Sequence, residues 1–193
     1  MKSIYDKKLT KARKVLEEYM LTEKEKEFVK KAKGNPKLIN YLYGELKDYS
    51  RVIELLGIDE DSVVLDIGSG RGKLLVDIVW RAKCKGIGVE PILSRHLRAV
   101  EYAELWAEPD TVELHNDHYP CKTTMKPTHV ILHACAFSEK NAIDCYNALP
   151  RGVRILHNSP HIRKYAHKNK LKSVEVKTSY VKGAGASFYL HEK

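Results

Sequence analysis

At 193 residues, 43% hydrophobic and 31% charged, the chain suits one domain with a real core. No run of 18 apolar residues occurs and no apolar signal segment opens the chain, so neither a membrane span nor a secretory leader is expected. The formal net charge of +9 is uneven, with 12 basic and 6 acidic residues over 1–40, 12 and 17 over 41–150, and 8 and 2 over 163–193. Basic ends around an acidic middle fit contact with a polyanion, such as nucleic acid or a nucleosome. A solvated Lys/Glu-laced helix at the N-terminal end, where Lys24 and Lys26 alternate with Glu23, Glu25 and Glu27, fits as well.

Cys84, Cys121, Cys135 and Cys145 form no C-x-x-C pair and are read as reduced thiols. The nine histidines show no metal-ligand spacing, so no metal is expected. The expectation is an intracellular monomer, nuclear in a eukaryote and otherwise cytoplasmic.

In chain order, residues 6–33 read as one or two amphipathic helices, with a stripe of Val15, Leu16, Tyr19 and Met20 followed by Phe28 and Val29. Gly34-Asn35-Pro36 interrupts them, and a short helix is expected over 37–42. Residues 47–56 carry Tyr49, Val52, Ile53 and Leu56 on one helical face, closed by Gly57. This divides the chain into an N-terminal helical segment, 1–57, and an α/β domain, 58–193.

The next segment, Val63 to Gly72, is the most informative. A short apolar run of the kind found in buried parallel strands ends near Asp66, and Gly68, Gly70 and Gly72 follow at alternate positions. Helical spacing resumes at Leu74, Leu75, Ile78 and Val79, predicting a helix over 73–82. The glycines therefore occupy a strand-to-helix turn, where backbone can approach a ligand. The spacing is not that of a dinucleotide fingerprint: the third glycine comes one position early and Lys73 stands in its place. Asp66 would repel a pyrophosphate but suits a cationic amine. D-x-G-x-G-x-G resembles the first motif of the class I methyltransferases, whose cofactor is S-adenosyl-L-methionine. Asp66, Gly68, Ser69, Gly70 and Gly72 are the candidates to hold its methionine part.

A second strand is expected over 86–90, ending in Glu90, 24 residues after Asp66 and suited to two ribose hydroxyls. A helix over 94–106 and a strand over 111–115 follow. Asp117, in the next turn, can accept from an adenine amino group or be a solvated turn residue. A strand over 128–134, a helix over 139–148 and a strand over 152–157 continue the alternation. Two further β runs, 173–181 and 186–191, flank Gly183-Ala184-Gly185. The fold class predicted is α/β, a Rossmann-like seven-stranded class I methyltransferase sheet.

In such a sheet the methyl acceptor meets the cofactor beyond the fourth strand, which here reads Ile131-Leu132-His133-Ala134-Cys135-Ala136-Phe137. It lacks the N-P-P-Y or D-P-P-Y of adenine amino-methyltransferases, which argues against a base-flipping DNA enzyme of that type. Tyr43-Gly44-Glu45, Leu65 to Gly72, Ile131 to Phe137 and Ser187-Phe188-Tyr189-Leu190-His191 together resemble the non-SET histone-lysine methyltransferases, the disruptor-of-telomeric-silencing family. The similarity spans about residues 41–193. It implies that Tyr43 and Glu45 lie over the cofactor and that the N-terminal segment, 1–57, serves as the cofactor lid. Four positions depart from the family pattern: at three of them His133 stands for an asparagine, Cys135 for an aromatic, and Phe188 for a tyrosine, with Tyr189 adjacent. His118 stands where the family has an aromatic after the adenine-reading Asp117.

The resemblance implies a protein lysine N-methyltransferase acting on a basic or chromatin-associated protein with an accessible lysine. An amine acceptor must arrive neutral, which a narrow apolar channel favours through desolvation. Phe137, Phe188 and Tyr189 are candidate channel walls or ordinary core aromatics. His133 is a candidate to position the amine or take its proton, or a structural polar cap. The alternatives are an RNA or small-molecule methyltransferase of the same fold, and a cofactor-binding module without catalysis.

Overall fold

The computed structural model describes residues 49–133, 137–169, 171, 173–179 and 185–193. The helices expected over 6–33 and 37–42, together with Tyr43 and Glu45, lie outside the described residues. Five helices are described: α1 (Tyr49–Leu56), α2 (Lys73–Ala82), α3 (Leu93–Trp106), α4 (Glu139–Ala148) and α5 (Pro160–Lys168). The strands are β1 (Val63–Ile67), β2 (Lys85–Val89), β3 (Val112–His115), β4 (His129–Leu132), β5 (Arg154–His157), β6 (Val174–Ser179) and β7 (Gly185–Glu192).

One seven-stranded sheet has the order β3-β2-β1-β4-β5-β7-β6. The five strands from β3 to β5 run parallel, while β7 is antiparallel to both β5 and β6. The chain reverses where β1 has β2 on one side and β4 on the other, which opens a crevice beyond the carboxyl ends of these strands.

Helices cover both faces. Alternate residues of a strand face opposite ways, so Val64, Ile131 and Leu156 join one apolar cluster and Leu65, Val130 and Ile155 the other. The first cluster includes Val52 and Leu56 of α1 and Leu75, Ile78 and Val79 of α2. The second includes Ala142, Cys145 and Tyr146 of α4 and Ile162 of α5. Tyr102 of α3 packs against Val76 of α2. Each side chain with no exposed surface, such as Leu65 or Ile155, contributes about 1.5–3 kcal/mol of transfer free energy. The α1 residues Val52 and Leu56 are buried in the sheet's own cluster, so α1 is built into the α/β domain and not laid over it.

Within the described residues the expected strands and helices occur, with ends displaced by a few residues. β4 stops at Leu132, so His133 begins the loop beyond it. Helix α5 is absent from the expectation. Its apolar stripe is thin, with only Ile162 and Ala166 buried. Its start is nevertheless legible: Ser159 Oγ accepts from the Ile162 N–H (3.3 Å) and Pro160 opens the first turn.

Candidate functional site

The site is organised by the turn after β1. Gly68, Gly70 and Gly72 have φ values of 81°, 58° and 74°, a region that other residues enter only with strain. The Gly68 and Ser69 N–H groups both donate to Val89 O, at 2.8 and 3.1 Å, tying the turn to the end of β2. A β-carbon on Gly72 would lie 2.9 Å from Ala99 Cβ, so the lack of a side chain there lets α2 approach α3. Above Gly70 nothing lies within 4 Å of where a β-carbon would be, leaving open space over the backbone.

Two buried carboxylates face this turn. Glu90 is 4% exposed. Its Oε2 accepts from the Gly70 N–H and its Oε1 from the Ile92 N–H, each at 2.9 Å. Each carboxylate oxygen has a second lone pair for a further donor. Asp66 is 2% exposed, and burial followed by repulsion from Glu90 pushes its pKa up to about 7. A buried acid pair of this kind favours a cationic ligand over a pyrophosphate. The Ser69 hydroxyl is buried with no hydrogen-bond partner, a polar atom for which a ligand or water would be the remaining partner. Orphaned hydroxyl, open cradle and a buried carboxyl group with no cation acting on it suit a ligand with an amine and vicinal hydroxyls.

Asp117 and His118 are exposed in the turn after β3, and the His118 N–H donates to Asp117 Oδ1 at 2.7 Å. The fold brings this turn beside Glu90. The Glu90 N–H donates to His115 O (3.0 Å) and the Asn116 side-chain amide donates to Glu90 O (2.9 Å). Asn116 was not singled out from sequence. Its signal is the Asn-Asp pair following a strand, where short polar side chains bond to nearby backbone.

In the loop after β4, half-buried Phe137 carries its ring over the turn, with Cε1 3.9 Å from a β-carbon built on Gly68. Its partners Ala134, Cys135 and Ala136 lie outside the described residues. The His133 ring meets that of Phe188 with centroids 5.4 Å apart. Burial lowers the His133 pKa to about 4, so the imidazole is neutral at neutral pH.

The arrangement of β7 corrects one expectation. Phe188 and Tyr189 are adjacent in a strand and face opposite sides of the sheet, so they cannot line one channel together. Phe188 is 1% exposed and belongs to the apolar cluster of α1 and α2, where it backs His133. Tyr189 is 7% exposed on the other face, with its ring 5.6 Å from that of His157 and the Arg163 guanidinium 4.7 Å above it. Among the described residues no group of three or more His, Cys, Asp or Glu side chains is arranged to hold a metal ion. No described helix is long and apolar enough to cross a membrane.

No protein-family model matches this chain, and no curated protein matches it in sequence. Solved structures match in fold. An RNA methyltransferase from Salinibacter ruber in complex with S-adenosyl-L-homocysteine aligns at 18% identity over 75% of this chain and 88% of its own, with a TM-score of 0.55. The tRNA methyltransferase TrmK of B. subtilis aligns at 16% identity over 77% and 66%, with a TM-score of 0.62. The precorrin-6y C5,15-methyltransferase of Geobacter metallireducens aligns at 11% identity over 75% and 87%, with a TM-score of 0.59. The fold is that of the class I methyltransferases.

Proposed function

We propose that this chain is an S-adenosyl-L-methionine-dependent methyltransferase. The observation that carries this is the buried Asp66–Glu90 pair around a glycine turn with open space above Gly70. Asp66 would receive the ammonium of the cofactor's methionine part, Glu90 its ribose hydroxyls, and Asp117 its adenine. Bound cofactor supplies an electrophilic methyl group. Phe137 would cover the turn near Gly68, and His133, kept neutral by burial, would lie beyond β4 where the methyl acceptor is expected.

For the acceptor, the reading we favour is RNA. The net charge of +9 suits a polyanion, and two of the solved structures similar in fold are RNA and tRNA methyltransferases. The second reading is a protein lysine. Its support is the sequence resemblance at Tyr43-Gly44-Glu45 and Ser187 to His191, and the desolvated surroundings of His133, which would favour a neutral amine.

The test offers radiolabelled S-adenosyl-L-methionine with total RNA, core histones, reconstituted nucleosomes and a basic DNA-binding protein, and maps the product by mass spectrometry. Label on RNA is expected. Label confined to lysine moves the acceptor to the second reading. Cofactor binding without any label removes the catalytic reading altogether.

A further inference from the structure

We infer that the solvent face of α5 is the surface on which the phosphate backbone of an RNA docks. The inference rests on the RNA reading above and gives it a place on the molecule.

Four of the five described helices carry acids beside their bases. Arg51 pairs with Glu54 on α1, Arg98 with Glu101 on α3 and Lys140 with Asp144 on α4, each at 2.7 Å or less. On α2, Asp77 sits in the field of Lys73 and Arg81. Helix α5 differs: its sequence, PHIRKYAHK, contains no acidic residue. Ile162 and Ala166 face the core, while Arg163, Lys164, His167 and Lys168 are exposed. Those four positions fall within one face of about 140° at helical spacing. No ion pair forms at Arg163, Lys164 or Lys168 among the described residues; the acid facing α5 is Glu139, 3.8 Å from His161. Three unneutralised cations on one face raise a local positive potential suited to a row of phosphates.

The location decides what this potential is for. Helix α5 starts at Pro160, directly beyond the end of β5, and its start is fixed by the fully buried Ser159 cap. His157, the last residue of β5, is level with Leu132 of β4 and Tyr189 of β7, at the same sheet edge as the glycine turn. Arg163 is held over the Tyr189 ring at 4.7 Å, which orders one cation at that edge. A strand lying along α5 would meet Arg163 at that edge, level with Leu132, the residue before His133.

Anisotropy of a fluorescent tRNA, titrated with the full chain across about 50–300 mM salt, tests this. The variant R163Q/K164Q/K168Q is compared with R81Q/K83Q/K85Q, which removes equal charge from the opposite edge, where α2 ends and β2 begins. Calorimetric binding of S-adenosyl-L-methionine and thermal melting serve as controls for both. For three lost phosphate contacts the slope of log Kd against log salt should fall by about 2, with affinity down on the order of 10–100-fold near 0.1 M salt. The opposite-edge variant should change little, and cofactor binding should be unaltered in both. Equal losses in both variants would overturn the docking surface and leave only net charge. Competition by polyglutamate as effective as tRNA at equal charge would also overturn it, in favour of an acidic protein. If the wild type labels RNA yet the α5 variant binds and labels it unchanged, this inference fails alone. If RNA binds through α5 but only lysine is labelled, the acceptor reading fails and the surface stands.

Discussion

Asp66 is the residue on which the site turns, and its charge state sets two opposite trends. With its pKa raised to about 7, the folded protein holds a proton there that the unfolded chain releases near pH 4. Stability from this group is therefore present below pH 4 and declines as pH rises to 7, by up to about 4 kcal/mol. Asp66→Asn should raise the ligand-free melting temperature at pH 7.5 and remove that decline. The same variant should weaken S-adenosyl-L-methionine binding by 10-fold or more, and wild-type affinity should increase as pH rises through 7; calorimetry reads both. His133 follows a different course. Being neutral above about pH 5, it should impose no break near pH 6.5 on the rate. His133→Ala should lower kcat at least 10-fold with cofactor Kd nearly unchanged. Loss of cofactor binding in that variant would instead make His133 part of the cofactor pocket.

Among the elements, β7 and the turn before α2 separate packing from chemistry. Phe188 sits in a cluster with Leu56, Leu75 and Ile131, so Phe188→Ala should cost about 3–5 kcal/mol in denaturant unfolding. A ring lining an open channel would cost far less, and a small loss with strongly altered KM would restore the channel role. Gly72→Ala tests the turn. It combines φ of 74° with a β-carbon 2.9 Å from Ala99 Cβ, where α2 and α3 touch. We expect at least about 2 kcal/mol of destabilisation, read by the same unfolding experiment, because backbone strain adds to the clash.

The whole molecule carries an acid-sensitive core beside its acid-filled cleft. His157 has no exposed surface and His191 is 5% exposed, with ring centroids 5.1 Å apart across β5 and β7. His157 Nε2 and both ring nitrogens of His191 are buried without hydrogen-bond partners among the described residues. Burial first, then the neighbouring His191, lowers the pKa of His157 to about 3. A depressed histidine contributes stability that is complete above pH 6.5 and lost as pH falls toward 3. The melting temperature should drop steeply between pH 6 and 4, and His157→Leu should flatten that drop. An unchanged slope would place the acid sensitivity elsewhere. Since Asp66 acts in the opposite sense over pH 4–7, the two single variants separate the contributions.

Much of the fold is legible in the order of residues. Apolar runs at Val63–Ile67 and His129–Leu132 and helical spacing from Leu74 to Val79 reflect local periodicity, which burial preserves wherever the core needs it. The D-x-G-x-G-x-G turn and Glu90 are equally local, because a ligand lying on bare backbone demands glycine and charge at fixed spacing. Helix α5 escaped that logic. Two buried residues leave too weak a stripe, and its cap at Ser159 is a single-residue signal. The placing of the β7 aromatics depended on tertiary structure. Adjacent aromatics in a sequence carry no record of which sheet face each takes, and strand register alone sent Phe188 into the core and Tyr189 beneath Arg163. The β2–β3 register brings Asn116 to Glu90, and the chain after β5 sets the start of the basic helix α5 directly beyond the end of that strand. Sequence determined the glycine turn and its acidic residues because their signals are short-range; the surroundings of His133, Phe188 and Tyr189 are assembled from segments far apart in the chain, and only folding joins them.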